Sequence, residues 1–404
     1  MSSPSRADPL LLALAAGVLF LAAWVGLHAG WYERDQIVDT PVYEGYGHAI
    51  ESGKLPYRDF RLEYPPGALP AFAVPSLVTS GRAPERYRSA FEAVMVTCGL
   101  AALVFAALAL RAAGAGPRRA GAALAFAALA PLLLGSVVLS RFDLWPAAAV
   151  AAALAALAAA RPRLGLALLG AAIAIKLYAL VIVPLALVYA WRGAGRRVAL
   201  QAGAIGAGVV AAAYLPFLLL SPGGVAYSLG RQLGRPLQIE SLGSSILLGL
   251  HHAAGLDVEW ASGHGSQNLV GTGPDAVAAL QSLLQVAVLV AIWVAFARGP
   301  STSDRLLRYA AAALVAFVAL GKVLSPQFLI WLLVPVALVA GRRGVAGAVL
   351  LGLACLLTQL WFPYRYWELV FDFDGLASAL VLARNLVLVA LLAVLVLPPR
   401  ASRS

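Results

Sequence analysis

Apolar residues form long runs along this chain, and shorter polar segments separate the runs. A helix of about 20 apolar residues spans the hydrocarbon core of a bilayer, so runs of this length predict transmembrane helices. We therefore predict an all-α polytopic membrane protein with about twelve spans. The predicted spans are residues 10–30, 90–110, 120–139, 143–160, 163–178, 180–191, 198–220, 276–297, 306–321, 327–341, 344–361 and 377–397.

The stretch 164–191 fits either one long helix or two short helices. Arginines lie at both of its ends, with Arg161 and Arg163 before it and Arg192 after it. Because basic loops prefer the same side of a membrane, an even number of crossings should separate these arginines. Two short spans meet this condition, and Pro184 in the second span is consistent with an interrupted helix.

The composition narrows the class of protein further. Hydrophobic residues make up 61% of the 404 residues and charged residues only 12%, with a mean hydropathy of +0.84. Soluble domains carry roughly 25% charged residues, so this chain has too little charge to cover a surface that faces water. The composition excludes a soluble enzyme, a disordered protein and a nucleic-acid-binding domain.

The net charge of +11 becomes informative once the charges are sorted by predicted side of the membrane. With both termini in the cytoplasm, the cytoplasmic side holds 16 of the 30 basic residues and 2 of the 19 acidic residues. This asymmetry is the positive-inside pattern of membrane proteins. We therefore place the remaining acids on the outer side, and the basic excess requires no nucleic-acid partner.

All long irregular segments fall on the predicted outer side, above a single integral-membrane domain of residues 1–404. These outer loops are residues 31–89, 221–275 and 362–376. Long polar loops over a helical scaffold are where function concentrates. Cys98 and Cys355 both lie in apolar runs, and the histidines lack regular ligand spacing, so we predict no disulfide framework, no metal site and no cofactor.

Two acids of the first outer loop, Asp35 and Asp39, are candidates for a general base. They follow the outer end of the first span, where a carboxylate lies beside the membrane and is reachable from water. Residues four apart share one face of a helix, so a helix here would pair them. Solvated loop residues are the alternative interpretation. Farther along, the run 64–67 predicts a rigid turn into an interfacial helix over residues 68–78, which are too few to cross a bilayer.

Basic residues at three predicted outer turns form a second candidate group. Arg141 and Asp143 lie in one tight turn, Lys176 lies near a second, and Lys322 lies at a third. Cations at this depth on the same side as two acids suit an anionic head group such as a phosphate. Anchors that merely snorkel to the interface are the alternative for any one of these cations.

Several motifs resemble the polyprenyl-phosphate-sugar-dependent glycosyltransferases of family 87, which include bacterial phosphatidylinositol-mannoside mannosyltransferases. The first-loop motifs are Asp39-x-x-x-Tyr43, Gly53-x-x-Pro56-Tyr57-x-Asp59-Phe60 and Glu63-Tyr64-Pro65-Pro66. Shorter similarities follow in the same order at Arg141-Phe-Asp143-Leu-Trp-Pro, Ala174-Ile-Lys176-Leu-Tyr178 and Ser325-Pro326-Gln327-Phe328. The resemblance covers most of the chain. The first-loop pattern is the more specific part, because the later motifs are short.

The resemblance implies a C-type glycosyltransferase fold with an active site at the outer membrane face. It assigns the catalytic base to Asp39, with Asp35 as the second choice, and implies inversion at the anomeric carbon. The donor phosphate is then expected to contact Lys176, Arg141, Lys322 and Gln327. The remaining residues expected to contact substrate are Asp35, Tyr43, Tyr57, Glu63, Tyr64, Asp143 and Tyr178.

Two motifs depart from the family pattern. Some relatives carry a histidine where this chain has Gln327, which can accept or donate a hydrogen bond but adds no charge. Other members have a neutral turn where this chain has Arg141 and Asp143. Both departures bear on how the donor phosphate is held.

The expected function is therefore transfer of a sugar, foremost mannose, from a polyprenyl-phosphate donor to a glycolipid or a cell-envelope glycan. The expected location is the bacterial cytoplasmic membrane, with the lipid bilayer as a partner and the oligomeric state open. A transporter or flippase of lipid-linked sugars is the main alternative, and a non-catalytic assembly subunit is a third. A transporter should show ionisable residues within the membrane and repeat symmetry, whereas this sequence shows no evident repeat and places its charges at one face.

Overall fold

The computed structural model describes residues 9–33, 37–79 and 84–397, and these ranges are predominantly helical. In chain order, the α-helices are α1 Pro9–Gly26, α2 Thr40–Glu51, α3 Leu69–Thr79, α4 Pro84–Ala112, α5 Pro117–Leu134, α6 Leu144–Ala158, α7 Pro162–Ile175, α8 Val183–Ala194, α9 Arg196–Leu220, α10 Pro222–Leu233, α11 Leu242–Ala254, α12 Thr272–Arg298, α13 Ser303–Ala319, α14 Ile330–Ala337, α15 Gly341–Trp361, α16 Tyr366–Phe371 and α17 Gly375–Val396. The predicted all-α architecture is confirmed for the body of the protein.

Seven helical segments within the described ranges are long and apolar enough to cross a membrane. They are Pro84–Ala112, Pro117–Leu134, Leu177–Ala194, Arg196–Leu220, Thr272–Arg298, Gly341–Trp361 and Gly375–Val396. Other predicted spans are helical but shorter than a bilayer requires, among them Leu144–Ala158 and Pro162–Ile175. The chain is thus a multi-pass membrane protein, and the count of twelve spans stays a prediction.

The stretch 164–191 is broken, as two short helices require. Helix α7 ends at Ile175, and Lys176 has an extended backbone with φ −159° and ψ 128°. A 3-10 turn at Leu177–Ile182 then leads into α8. The break turns Lys176 away from the helical path and places its side chain among the outer loops.

The first outer loop contains two of the helices. Helix α3 at Leu69–Thr79 matches the prediction over residues 68–78. Residues 37–39 are not helical and Asp39 is the N-cap of α2, so the described residues contain no helix that would pair Asp39 with Asp35. Asp35 itself lies outside the described residues.

The second outer loop contains a small antiparallel sheet that the all-α prediction did not include. Its strands are β1 Leu237–Gln238, β2 Glu259–Gly263 and β3 Ser266–Val270, in the order β1-β3-β2. The β2–β3 hairpin turns at His264 and Gly265, both with positive φ, as a tight two-residue turn requires. His264 is therefore a turn residue, and the sheet holds the loop over the helices.

The helices differ sharply in how far they are buried. Helix α13 lies at the centre, and its run from Ala310 to Ala316 is almost fully buried by neighbouring helices. Small alanine side chains allow that close approach. Helix α9 lies at the periphery, where Leu215, Leu218 and Leu219 remain exposed. Exposed leucines on a helix of spanning length suit contact with lipid, whereas α13 belongs to the packed centre of the bundle.

Candidate active site

Asp39 and Arg141 form an ion pair between the first outer loop and the turn before α6. Asp39 caps α2, and Arg141 reaches it from the opposite side while also donating to the Ile37 carbonyl at 3.4 Å. The Arg141 side chain is 6% exposed, whereas that of Asp39 is 34% exposed. The arrangement therefore presents a carboxylate that solvent can reach, backed by a buried cation.

Burial lowers the pKa of Arg141 to about 10, and the negative charge of Asp143 opposes that shift. The guanidinium therefore stays protonated at neutral pH. A buried guanidinium is a fixed positive charge in a region of low dielectric, where it acts more strongly on an anion than it would in water.

Tyr43 supports the other side of the Asp39 carboxylate. Its hydroxyl donates to Asp39 Oδ2 at 3.4 Å, and its ring stacks on Phe72 at 4.8 Å between centroids. Burial raises the pKa of Tyr43 well above its ordinary value, so the hydroxyl remains a hydrogen-bond donor. Since Tyr43 lies one helical turn after Asp39, the N-cap residue of α2, the first turn of α2 fixes both groups together.

Asp143 and Lys176 form a second, deeper ion pair. Lys176 Nζ lies 2.6 Å from Asp143 Oδ1, and Trp331 Nε1 donates to the same oxygen at 2.6 Å. The Asp143 side chain is 1% exposed, and its other oxygen, Oδ2, has no hydrogen-bond partner among the described residues. Buried polar atoms normally have such partners, so this carboxylate retains hydrogen-bonding capacity toward a ligand.

Aromatic rings surround the Lys176 ammonium. Nζ lies 4.6 Å from the ring centroid of Phe142, 4.9 Å from that of Trp331 and 5.8 Å from that of Phe328. Cation–π contacts at these distances stabilise an ammonium that has left water. Tyr178 extends this group, because its ring stacks on Trp331 at 4.1 Å. The sequence predicted Lys176 and Tyr178 here, but not the rings that hold Lys176.

A further polar cluster links the second outer loop to the last helix. Arg384 and Asn385 of α17 donate to the Glu240 backbone carbonyl at 2.9 Å and 3.2 Å. Gln238 donates to the Glu240 carboxylate and to Ser325 Oγ, the latter at 2.9 Å. All five side chains are buried. The sequence patterns did not predict this cluster, although an arginine within an apolar span is a signal of a buried polar site.

Glu240 is the acid of this cluster. Burial raises its pKa to about 7, while Arg384, Arg235 and Arg141 oppose the shift. Glu240 therefore lies close enough to Arg141 of the first ion pair for the two charges to interact. Among the described residues, two deeply buried carboxylates, Asp143 and Glu240, are thus accompanied by four cations: Arg141, Arg235, Arg384 and Lys176. This excess of positive charge attracts anions.

Three predicted site residues lie away from these pairs. Lys322 Nζ contacts the Leu233 carbonyl at 3.4 Å, and none of its contacts among the described residues is with the paired acids. Glu63 pairs with Arg231 at 2.6 Å. The Tyr57 hydroxyl donates to the Tyr64 carbonyl at 2.6 Å.

Two other predicted residues lie at the edge of the aromatic group. The Tyr64 ring meets that of Phe142 edge-on at 5.0 Å. Gln327 is half-buried in a 3-10 turn at Pro326–Leu329, next to Phe328. Both residues thus adjoin the rings around Lys176 without contacting its ammonium.

Taken together, the two ion pairs combine a reachable carboxylate with buried cations. A carboxylate in this position can remove a proton from a hydroxyl group. The cations can stabilise negative charge that develops on a departing group. The arrangement therefore suits displacement of an anionic leaving group by an alcohol.

The sequence profile of glycosyltransferase family 87 matches residues 62–326 of this chain. That range includes Arg141, Asp143 and Lys176, whereas Asp39 and Tyr43 precede it. No curated protein sequence matches the chain significantly.

Two solved structures are similar over nearly the whole chain. ArnT from Cupriavidus metallidurans, bound to undecaprenyl phosphate, is 14% identical with a TM-score of 0.50, and the match covers 97% of this chain and 77% of that one. The oligosaccharyltransferase from Archaeoglobus fulgidus, in complex with zinc and sulfate, is 14% identical with a TM-score of 0.41. That match covers 93% of this chain and 53% of the oligosaccharyltransferase chain. The likeness to ArnT confirms the predicted C-type fold.

Proposed function

This chain belongs to glycosyltransferase family 87, and from that membership we propose that it transfers a sugar from a polyprenyl-phosphate donor to a glycolipid or cell-envelope glycan. The observation that carries the proposal is the half-exposed Asp39 carboxylate held against buried Arg141. A polyprenyl phosphate is the favoured leaving group because the similar fold of ArnT binds undecaprenyl phosphate. Mannose is the favoured sugar because the motifs resemble those of bacterial mannosyltransferases.

In the proposed reaction, Asp39 accepts the proton of an acceptor hydroxyl. The acceptor oxygen then attacks the anomeric carbon from the face opposite the phosphate. The bond between that carbon and the phosphate oxygen breaks, and polyprenyl phosphate leaves with the bonding electrons, so the configuration inverts. Tyr43 keeps the carboxylate oriented through its 3.4 Å hydrogen bond.

Arg141 and Lys176 are the proposed partners of the departing phosphate. Both cations are buried and already paired with carboxylates, so they need little reorganisation to meet a second anion. A phosphate that takes part of the Arg141 charge also weakens the hold of Arg141 on Asp39. Asp39 then becomes a stronger base, because a nearby cation stabilises the ionised carboxylate.

Lys322 and Gln327 are weaker candidates for the phosphate. Gln327 adjoins Phe328 beside Lys176, whereas the Lys322 ammonium points to the Leu233 carbonyl. We also propose that the site faces the outer side of the bacterial cytoplasmic membrane, with both termini in the cytoplasm. The concentration of arginines in the predicted cytoplasmic loops supports that orientation.

Transport of a lipid-linked sugar is the second candidate function, and Arg384 is the observation that favours it. This arginine lies within the apolar helix Gly375–Val396, and an ionisable residue within a span is a feature expected of a transporter. Its guanidinium, however, donates to the Glu240 carbonyl of the second outer loop. Long side chains reach toward polar surroundings in this way, and the contact assigns Arg384 to the wall of the outer site.

A transfer assay tests the enzymatic proposal. Full-length purified protein is incubated with radiolabelled polyprenyl-phosphate sugars, mannose among them, and with envelope lipids. We expect Asp39→Asn to lower transfer by about 10²–10⁴-fold, the usual contribution of a general base. Asp257→Asn is the matched control, because Asp257 is exposed and lies in another outer loop.

The outcomes separate the candidates. Transfer that Asp39→Asn leaves unchanged contradicts the assigned base. Lack of transfer from every donor, together with movement of a labelled lipid-linked sugar across vesicles that contain the protein, favours the transporter.

A further inference from the structure

A cavity of about 430 Å³ opens on the outer side of the protein, between residues 57–61 of the first outer loop and the start of α10. Its volume lies within the range of small-molecule sites, roughly 300–1,000 Å³. Arg58, Arg61 and Tyr227 are among its lining residues. The Asp39 carboxylate is not among them, so the cavity is a separate feature of the outer face.

The walls of this cavity are held in place by close contacts. Tyr57 has a positive φ of 66°, and Ser221 Oγ donates to its carbonyl at 3.1 Å. A Cβ atom added at Gly224 would lie 2.0 Å from the same carbonyl, so only glycine allows α10 to approach the loop this closely. The cavity is therefore built by the fold before any ligand enters.

The cavity carries a cation without a counter-ion. Arg58 pairs with Asp59, and the neighbouring Arg231 pairs with Glu63. Arg61 has no carboxylate partner among the described residues, and its guanidinium lies 5.0 Å from the ring centroid of Tyr227. Arginine held over an aromatic ring keeps its hydrogen-bond donors available for a phosphate or carboxylate. The N-terminal end of α10 adds the partial positive charge of a helix dipole beside it.

The position of the cavity relative to the bilayer identifies the source of such an anion. Helix α9 ends at Leu220, and Leu218, Leu219 and Leu220 are all exposed as lipid-facing residues are. Ser221 follows directly and caps α10, which forms one wall of the cavity. The cavity thus begins where the lipid-facing surface stops, at the depth of lipid head groups.

Aromatic rings connect the cavity to the candidate active site. Phe60 of the cavity stacks on Tyr46 at 6.0 Å, and Tyr46 meets Tyr64 at 6.4 Å. Tyr64 meets Tyr43 edge-on at 6.0 Å, and the Tyr43 hydroxyl donates to Asp39 Oδ2 at 3.4 Å. A molecule anchored in the cavity can therefore extend along this row toward the carboxylate that we assign as the base.

We propose that the cavity between residues 57–61 and α10 binds the anionic head group of a lipid-linked acceptor, with Arg61 as the principal contact. The proposal rests on the glycosyltransferase function proposed above. The two substrates then bind at different sites. The acceptor head group binds in the cavity at the membrane edge, and the donor phosphate binds at Arg141 and Lys176.

Native mass spectrometry of the full-length protein measures this binding directly. The probes are a short-chain phosphatidylglycerol, phosphatidylcholine of the same chain length, inorganic phosphate and undecaprenyl phosphate. We expect the wild-type protein to prefer phosphatidylglycerol. Arg61→Gln should weaken that binding about tenfold, as expected for one lost charge-assisted hydrogen bond, and Arg61→Lys should retain most of it. Binding of undecaprenyl phosphate should not change.

Arg86→Gln is the matched control, because Arg86 is exposed at the start of α4 without an ion pair among the described residues. Equal losses in Arg61→Gln and Arg86→Gln would reveal general surface attraction and overturn the proposal. A parallel loss of undecaprenyl phosphate would assign the cavity to the donor instead. Inorganic phosphate that binds as tightly as the lipid would indicate a free-anion site. Each of these results contradicts a head-group site for the acceptor.

The transfer assay separates this proposal from the catalytic one. We expect Arg61→Gln to raise the KM for the acceptor while kcat at saturating acceptor is retained. If Asp39→Asn transfers sugar normally while Arg61→Gln still loses phosphatidylglycerol, the assigned base fails and the head-group site stands. If only the head-group result fails, the catalytic assignment is unaffected.

Discussion

Two ion pairs of this protein have the same nitrogen–oxygen distance, 2.6 Å, in different surroundings. The buried pair, Lys176–Asp143, lies among aromatic rings, with side chains that are 16% and 1% exposed. The rim pair, Arg231–Glu63, lies beside the outer cavity, with side chains that are 29% and 27% exposed. Distance alone therefore does not distinguish these pairs, whereas access of water does.

The two settings predict different effects when one partner of the ion pair is removed. In a dry setting, loss of one partner leaves the other charge without compensation, and folding suffers. At the rim, water and salt replace the lost partner at little cost. We therefore expect substitutions at the buried pair to lower both activity and stability. Substitutions at the rim pair should change ligand binding but leave the fold stable.

Lys176→Met tests the buried pair and should have the largest effect. The substitution keeps the apolar stem but leaves the Asp143 carboxylate buried without its cation, which costs about 3–5 kcal/mol of unfolding free energy. Thermal unfolding of the detergent-solubilised protein measures the change. The double variant Lys176→Met with Asp143→Leu should recover much of the loss, because no uncompensated charge remains. A single-variant loss no larger than that of Arg231→Met would contradict the comparison.

A pH series on Glu240 tests whether a second buried carboxylate of the site also affects stability when its charge changes. Burial raises the pKa of Glu240 from 4.5 to about 7, so the folded protein holds this proton more tightly than the unfolded chain. The stability that comes from this protonated carboxyl group is fully present below pH 4.5. It is lost as the pH rises to about 7, because the buried group must then ionise.

Across that window, the wild-type protein should lose roughly 2–3 kcal/mol relative to Glu240→Gln. Unfolding temperatures of both proteins at the two ends of the window provide the measurement. Parallel curves for the two proteins would show that Glu240 does not titrate there.

Arg231→Met tests the rim pair and should have the smallest effect. Because both partners are partly hydrated, we expect a loss of only about 0–1 kcal/mol. Added salt should remove most of that difference by screening the pair. Unfolding temperatures at low and high salt provide the check, and a large loss that salt leaves unchanged would mean that the rim pair is energetically buried.

Local sequence was sufficient to predict one half of the candidate site. Asp39, Arg141 and Lys176 are charged residues at the ends of apolar runs, and the turns between helices bring such ends together at one face. A break within 164–191 was predicted as well, because arginines on both flanks required an even number of crossings, but it was predicted near residue 179 and lies at Lys176 instead. The glycines around His264 were a local turn signal that the all-α prediction passed over.

The other half depends on contacts between distant parts of the chain. Trp331 donates to Asp143 across 188 residues, and Arg384 reaches the Glu240 carbonyl across 144 residues. From sequence alone, a tryptophan within an apolar run is interpreted as a core residue. Its role as a donor to Asp143 becomes visible only in the folded structure. Lys322 shows the reverse case, since its position at an outer turn was foreseen but its ammonium contacts the Leu233 carbonyl. Such pairings are set by tertiary packing, which a local pattern does not encode.

The contact between Arg384 and Glu240 has a consequence for the order in which the site is made. Helix α17 leaves the ribosome after every other element of the site described here, so Glu240 is synthesised before Arg384, the cation that lowers its pKa most in the folded protein. Arg235 and Arg141, the other two arginines that lower the pKa of Glu240, are already present at that stage. The nascent protein therefore completes its polar wall only when α17 docks, and a chain truncated before residue 384 would lack the contacts that Arg384 and Asn385 make with the Glu240 carbonyl.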